Sequence, residues 1–115
     1  MYLNLNIFKI NNMKSKLMKS TKKISLICIL NKRPMHGYEL MKELEKRMGK
    51  KINPSFIYPL LREFEKEGYL KSKIEKTGKR KIKKYIITKS GKEFCRDVEK
   101  QIKKILKEFF NQANN

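Results

Sequence analysis

From residue 21 onward the apolar positions fall into blocks of different spacing. Residues 21–32 carry Ile24, Leu26, Ile27, Cys28, Ile29 and Leu30 almost without interruption. That density predicts a buried helix rather than a surface one, although spacing alone does not separate it from a buried strand. Arg33-Pro34 ends the block, because a residue before Pro is driven away from helical angles, and Met35-His36-Gly37 reads as a short connection. Over 37–48, Tyr38, Met41, Leu44 and Met48 recur at spacings of three and four with Leu40 beside them, the pattern of an amphipathic helix. Gly49 is its expected C-cap, and 50–53 a turn. Ser55 is the expected N-cap of a third helix over 55–67, with Pro59 tolerated as part of its first turn and Gly68 as its stop.

The spacing then changes to alternation. Residues 69–76 and 81–88 read as half-solvated strands, and Thr77-Gly78-Lys79-Arg80 between them as a turn, which together predict a β-hairpin. Ser90-Gly91 separates the hairpin from a last helix over about 90–111. Ahead of all this, Leu3, Leu5 and Ile7 alternate like a strand within an Asn-rich stretch that suits a loose arm, and Met13 to Lys23 suits a short helix leading into the next one. The order helix, helix, helix, hairpin, helix is the outline of a winged helix-turn-helix. The expected fold is mostly α with a small β-hairpin wing and a C-terminal dimerisation helix. It divides into a basic arm (1–20), a DNA-binding domain (21–89) and the dimerisation helix (90–115).

Composition narrows the partner. The chain has 115 residues, room for one core, and 30 Lys plus Arg against 11 Asp plus Glu, a formal charge of +19. Such a surplus points to an anionic partner, nucleic acid before a membrane surface. Lys, Ile and Asn all have codons rich in A and T, so base composition is a competing origin of the charge, and its placement has to decide. Cys28 and Cys95 stand far apart with no CxxC, and His36 is the sole histidine. No disulfide framework, four-ligand zinc site or nucleophile–base set is expected, hence no metal, no cofactor and no enzyme. No apolar run approaches the roughly 20 residues of a membrane span, and MYLNLNIFKINN does not read as a signal peptide. A cytoplasmic location without membrane contact is the expectation.

Charge placement favours DNA. On a wheel of about 100° per residue, Ile57, Leu60, Leu61 and Phe64 share the core face of the third helix, and Ser55, Tyr58, Pro59, Arg62 and Lys66 lie opposite. Arg can read a guanine edge bidentately, while Ser, Tyr and Lys more often hold phosphates. The ordinary alternative is a solvated helix face. The hairpin weighs against it: from Lys71 to Lys84 there are eight basic residues and one acid, Glu75. Lys76, Lys79, Arg80, Lys81, Lys83 and Lys84 are the expected wing contacts, along a phosphate backbone or into a narrow minor groove.

In the last helix Cys95, Val98, Ile102, Ile105 and Phe109 step by 3, 4, 3 and 4, a heptad seam widened by Phe94, Leu106 and Phe110. Pairing across a two-fold axis would set two reading helices one DNA turn apart. The alternatives are packing back on the same domain and lying on a membrane. Leu17, Met18 and Ile24 are candidates to pack on the seam. His36 reads as a structural hydrogen-bonding residue, Cys95 as a small buried apolar group, and Glu39, Glu43, Glu63, Glu65 and Glu67 as solvated helix charges.

The words Met35-His36-Gly37-Tyr38-Glu39-Leu40 and Ile57-Tyr58-Pro59-Leu60-Leu61-Arg62, with Glu65, Gly68, Leu70, Lys84-Tyr85, Thr88 and Gly91, resemble the PadR family of transcriptional regulators. The resemblance covers about residues 24–110. It implies a winged-helix homodimer on a two-fold DNA operator, usually a repressor, dimerising through the C-terminal helix. By position Tyr58 and Arg62 match reading-helix residues, and Lys79 to Lys84 the wing. Some members release DNA on binding aromatic or drug-like ligands at the dimer interface. This chain has no Trp to stack one, and no effector is assigned. A non-specific architectural nucleic-acid-binding protein is the alternative from a different class.

Overall fold

The computed structural model describes residues 9, 11, 12 and 20–113. Those of the arm among them (9, 11, 12 and 20) are helical. The alternation at Leu3, Leu5 and Ile7, the lead-in helix over 13–19 and the packing of Leu17 and Met18 lie outside the described residues. The described part of the first helix, α1, runs 20–29, and Leu26, Ile27, Ile29 and Leu30 are all buried. The block therefore is helical, but shorter than its apolar run. Asn31 N–H bonds the Cys28 carbonyl at 3.1 Å and Lys32 N–H that of Ile29 at 3.2 Å, a tightened last turn that feeds the bend at Arg33-Pro34.

Met35–His36 is not a plain connection. It forms a two-residue strand, β1, and the sheet it joins has three antiparallel strands in the order β1-β3-β2. Two residues are too few to show alternation, so the sequence carries no signal for it. Helix α2 covers Gly37–Met48 and ends on Gly49, whose φ of 71° and N–H bond to the Glu45 carbonyl make the expected C-cap.

Helix α3 covers Pro54–Lys66, and its start differs from the expectation. Asn53 is the N-cap; its Oδ1 accepts the Ser55 N–H at 3.0 Å, and Pro54 takes the first helical position, where its missing donor costs nothing. Ser55 thus lies inside the first turn and Pro59 in the second. Pro59 leaves the Ser55 carbonyl without its usual helical donor, and both residues are exposed, so water can take that place.

Strands β2 (Leu70–Thr77) and β3 (Arg80–Ile87) pair from Leu70↔Ile87 to Thr77↔Arg80. Each reaches one residue nearer the tip than expected, leaving a two-residue turn. Gly78 has φ 64° and Lys79 does not, the type II′ pattern that matches strand twist. Helix α4 (Lys89–Ala113) begins on Thr88, whose hydroxyl accepts the Gly91 N–H at 3.1 Å and donates to the Gly68 carbonyl at 2.7 Å. Ser90-Gly91 is therefore the first turn of α4 and not a separator.

One core joins these parts. Leu26, Ile27, Ile29 and Leu30 meet Leu40 and Leu44 of α2 and Ile57 and Leu61 of α3; Leu70, Tyr85 and Ile87 of the sheet and Cys95 of α4 close it. Every buried side chain among the described residues is apolar or the Tyr85 ring and Cys95 thiol, so hydrophobic burial fixes which face of α3 points inward and turns its other face outward.

Candidate nucleic-acid interface

Burying Ile57, Leu60, Leu61 and Phe64 leaves Ser55, Tyr58, Pro59, Arg62 and Lys66 of α3 exposed, as the wheel predicts. Tyr58 is 39% exposed, and the rest of its ring covers Gly37 at the start of α2. On the other side this face meets the wing: Tyr58 and Arg62 both lie close enough to Tyr85 of β3 to act on its phenol electrostatically, and Arg62 does so on Lys83. Burial pushes the Tyr85 phenol above its usual value, so it stays neutral. A notch of about 220 Å³ opens between the two elements, bounded by Gly37, Tyr58, Lys81 and Lys83.

The six basic wing residues divide into two groups. Lys76, Lys79, Arg80 and Lys81 surround the tip and are exposed, and among the described residues none has a carboxylate partner. Lys83 and Lys84, nearer the base, are held by the protein. Lys83 Nζ lies 3.0 Å from Glu65 Oε1 and 5.5 Å from the Tyr85 ring centroid, and the Glu65 hydrogen bond raises its pKa. Lys84 Nζ lies 3.4 Å from Glu75 Oε1.

The acids were expected to be solvated; Glu65 is drawn into the protein instead, and Glu39, though its side chain is 40% exposed, is paired. Glu65 is partly buried and accepts the Ser72 hydroxyl at 2.9 Å as well as Lys83. Glu39 pairs with Arg33 at 3.1 Å, which holds its carboxyl below the usual range. His36 stands between two carboxylates, Nδ1 3.0 Å from Glu39 and Nε2 3.2 Å from Glu75. Each contact is a hydrogen bond only when the nitrogen facing it carries a proton, so the imidazolium alone makes both. As the imidazolium, His36 ties β1 and α2 to the wing. Sequence reading missed Glu65 and Glu75 because their partners depend on the hairpin register. A diagonal Glu75/Lys84 pair was readable once that register is known.

The C-terminal seam also divides. Cys95 is only 6% exposed and belongs to the core of its own domain, and Val98 is half-buried. Ile102, Ile105, Leu106 and Phe109 are exposed, with Ile105 at 60% and Phe109 at 64%. Phe110 extends this stripe, edge-on to Phe109 at 5.5 Å. The two cysteines, distant in sequence, come together: both are free thiols lining one cavity of about 360 Å³ with Ile24, Val98 and Ile102. The Cys28 thiol and burial push the Cys95 pKa up, which makes it inert as a nucleophile. Among the described residues no three His, Cys, Asp or Glu cluster as metal ligands, and no helix is long and apolar enough to cross a membrane.

With this geometry in view, the profile of the transcriptional regulator PadR-like family matches residues 26–97. No curated protein matches the chain. Among solved structures, a PadR family regulator of Eggerthella lenta is 25% identical, with a TM-score of 0.72 over 92% of this chain and 96% of that one. A PadR family regulator of Clostridium difficile is 26% identical, with a TM-score of 0.64 over 82% and 98%. Bacillus subtilis PadR, solved in complex with operator DNA, is 27% identical, with a TM-score of 0.60 over 65% of this chain and 44% of that one.

Proposed function

Since the chain belongs to the PadR-like family of transcriptional regulators, we propose that it binds a two-fold DNA operator as a homodimer and represses the adjoining gene. The observation that carries this reading is the meeting of two surfaces: the exposed Tyr58–Arg62 face of α3 lies beside a hairpin whose tip bears four cations without carboxylate partners. Bacillus subtilis PadR, similar over 65% of this chain, has been captured on operator DNA.

In this reading α3 enters the major groove. Arg62 contacts a guanine edge, and Ser55, Tyr58 and Lys66 hold flanking phosphates. Lys76, Lys79, Arg80 and Lys81 follow the backbone or the adjacent minor groove. Lys83 and Lys84 stand at the wing base with their carboxylates. Residues 21–89 form the reading domain, and Ile102, Ile105, Leu106 and Phe109 of α4, continuing from Cys95 and Val98, join two copies. Two bound copies would obstruct a promoter sterically.

Footprinting of the DNA upstream of the chain's own gene tests this. A protected site with two-fold symmetry is expected, bound far more tightly than random duplex of the same length. Arg62→Ala is expected to reduce that discrimination by roughly 1–3 kcal/mol. Equal affinity for both duplexes, with the same steep salt dependence, would show an architectural coat instead.

A further inference from the structure

We propose that Glu65 determines specificity at this interface, by clamping the wing to the reading helix and withholding Lys83 from DNA phosphates. The inference rests on the DNA-binding reading above and assigns a role to a residue that does not itself contact DNA.

Glu65 sits on α3 three residues after Arg62, on the neighbouring helical face. Its two oxygens go to different strands: Oε2 accepts the Ser72 hydroxyl of β2 at 2.9 Å, and Oε1 takes Lys83 of β3 at 3.0 Å. The register pairs Ser72 with Tyr85 and Ile74 with Lys83, so the two donors are diagonal neighbours on one face of the hairpin. One carboxylate therefore holds both strands at once, and both bonds involve a charged group, which makes them stronger than neutral ones. Beyond Lys83 the hairpin runs on through three more paired positions to the Gly78-Lys79 turn, about 13 Å at 3.3 Å per residue. The basic tip is the free end of a lever whose angle to α3 is set at Glu65. A rotation there is carried along that length to Lys79 and Arg80 and shifts them relative to the phosphates.

The same bond has an electrostatic consequence. On a chain of net charge +19 facing a polyanion, unpaired lysines add affinity for every sequence alike. Lys83 sits beside Arg62, where a loose cation would anchor the reading helix to phosphates regardless of the base opposite. Paired with Glu65, it contributes less to non-specific binding and leaves Arg62 to discriminate.

Glu65→Gln separates these effects from folding, because the amide oxygen still accepts from Ser72 while the charge is gone. Affinity for the footprinted segment and for random duplex is measured across a salt series, beside a thermal melt. Relative to the native chain, random-duplex affinity is expected to rise and its log–log salt slope to steepen by about 0.9, one further phosphate neutralised. The ratio of specific to random affinity is expected to fall about tenfold. Lys83→Gln added to Glu65→Gln should return the slope to its native value. A folded Glu65→Gln chain with native slope and ratio overturns the clamp while leaving the DNA reading intact. A native chain that binds neither duplex overturns the DNA reading, and the clamp with it.

Discussion

The ring of Tyr58 lies against the α-carbon of Gly37: a Cβ on Gly37 would come within 2.8 Å of Tyr58 Cε1 and 3.3 Å of its hydroxyl oxygen. The contact joins the first residue of α2 to the outward face of α3. It makes the two most distinctive words in the sequence, HGYEL and YPLLR, halves of one feature. The glycine is there for space, since any side chain would claim the site of the ring, and the ring in turn fixes where the phenol points.

Gly37→Ala is therefore expected to displace Tyr58 with little loss of fold. The obstructing atoms are the far end of a side chain that is 39% exposed and can swing away, so the melting temperature should move by only a few degrees, equivalent to under about 1 kcal/mol. DNA affinity should fall as far as it does in Tyr58→Ala. The double variant should be no worse than either single one, because both remove the same placed hydroxyl. Losses that simply add would separate the two residues.

Gly91→Ala has the opposite expected profile. A Cβ there would run into the carbonyl oxygen of Tyr69 and stand 2.7 Å from Ile87 Cγ1. That carbonyl accepts the Thr88 N–H at 3.0 Å, and the Tyr69 ring stacks on Phe94 at 4.7 Å, so neither side can yield without opening the α4–sheet junction. Overpacking of this kind costs about 1–3 kcal/mol, and at roughly 4–8 °C per kcal/mol for a domain of this size the melt should drop clearly. An unchanged melt would mean that α4 docks differently.

The contrast between these glycines marks what the sequence makes legible. The outward face of α3 and the basic tip could be read because each follows from a repeating spacing within one element. The start of α3 was also written there, in Asn53-Pro54, but Ser55 offered an equally good cap chemically, and Pro at the first helical position decided the matter. β1 has only two residues and exists by pairing Met35 with Tyr85, a contact made across fifty positions. Glu65 and Cys28 likewise acquire their partners only when the hairpin and α4 dock, so local pattern described the acid as solvated and the thiols as far apart.

Acid should destabilise the chain through carboxylates that the fold holds charged. Glu45 shows the linkage most simply: its Oε2 accepts the Ile52 N–H at 2.8 Å and Lys42 lies 3.3 Å from Oε1, and the Ile52 bond is the main reason its pKa falls below 4.5. A carboxyl whose folded pKa is depressed adds stability above its unfolded value, and that stability is lost as pH falls through the folded one. Glu39 and Glu75 are shifted the same way, chiefly by Arg33 and His36. The melting temperature should decline as pH falls below the usual carboxyl value near 4.5. Glu45→Gln keeps an acceptor for Ile52 but cannot titrate, so its decline should be shallower. Parallel curves for the two chains would remove Glu45 from the linkage.

The exposed stripe on α4 yields the most direct test of assembly. Every described side chain from Glu99 onward is exposed, and Ile102, Ile105, Leu106, Phe109 and Phe110 form a stripe over about two and a half turns of a helix that runs beyond its own domain. Apolar surface of this kind on a helix with heptad spacing is stabilised by a matching stripe, and a second copy supplies one across a two-fold axis. Ile105→Glu should leave the single chain folded, since Ile105 is 60% exposed and touches no part of the core. In the dimer it would bury an unpaired charge, which costs several kcal/mol. Sedimentation is expected to show a dimer for the native chain and a monomer for the variant, and half-site occupancy should replace the full footprint. A variant that still sediments as a dimer would move the interface off α4, and with it the explanation of how two reading helices come to share one operator.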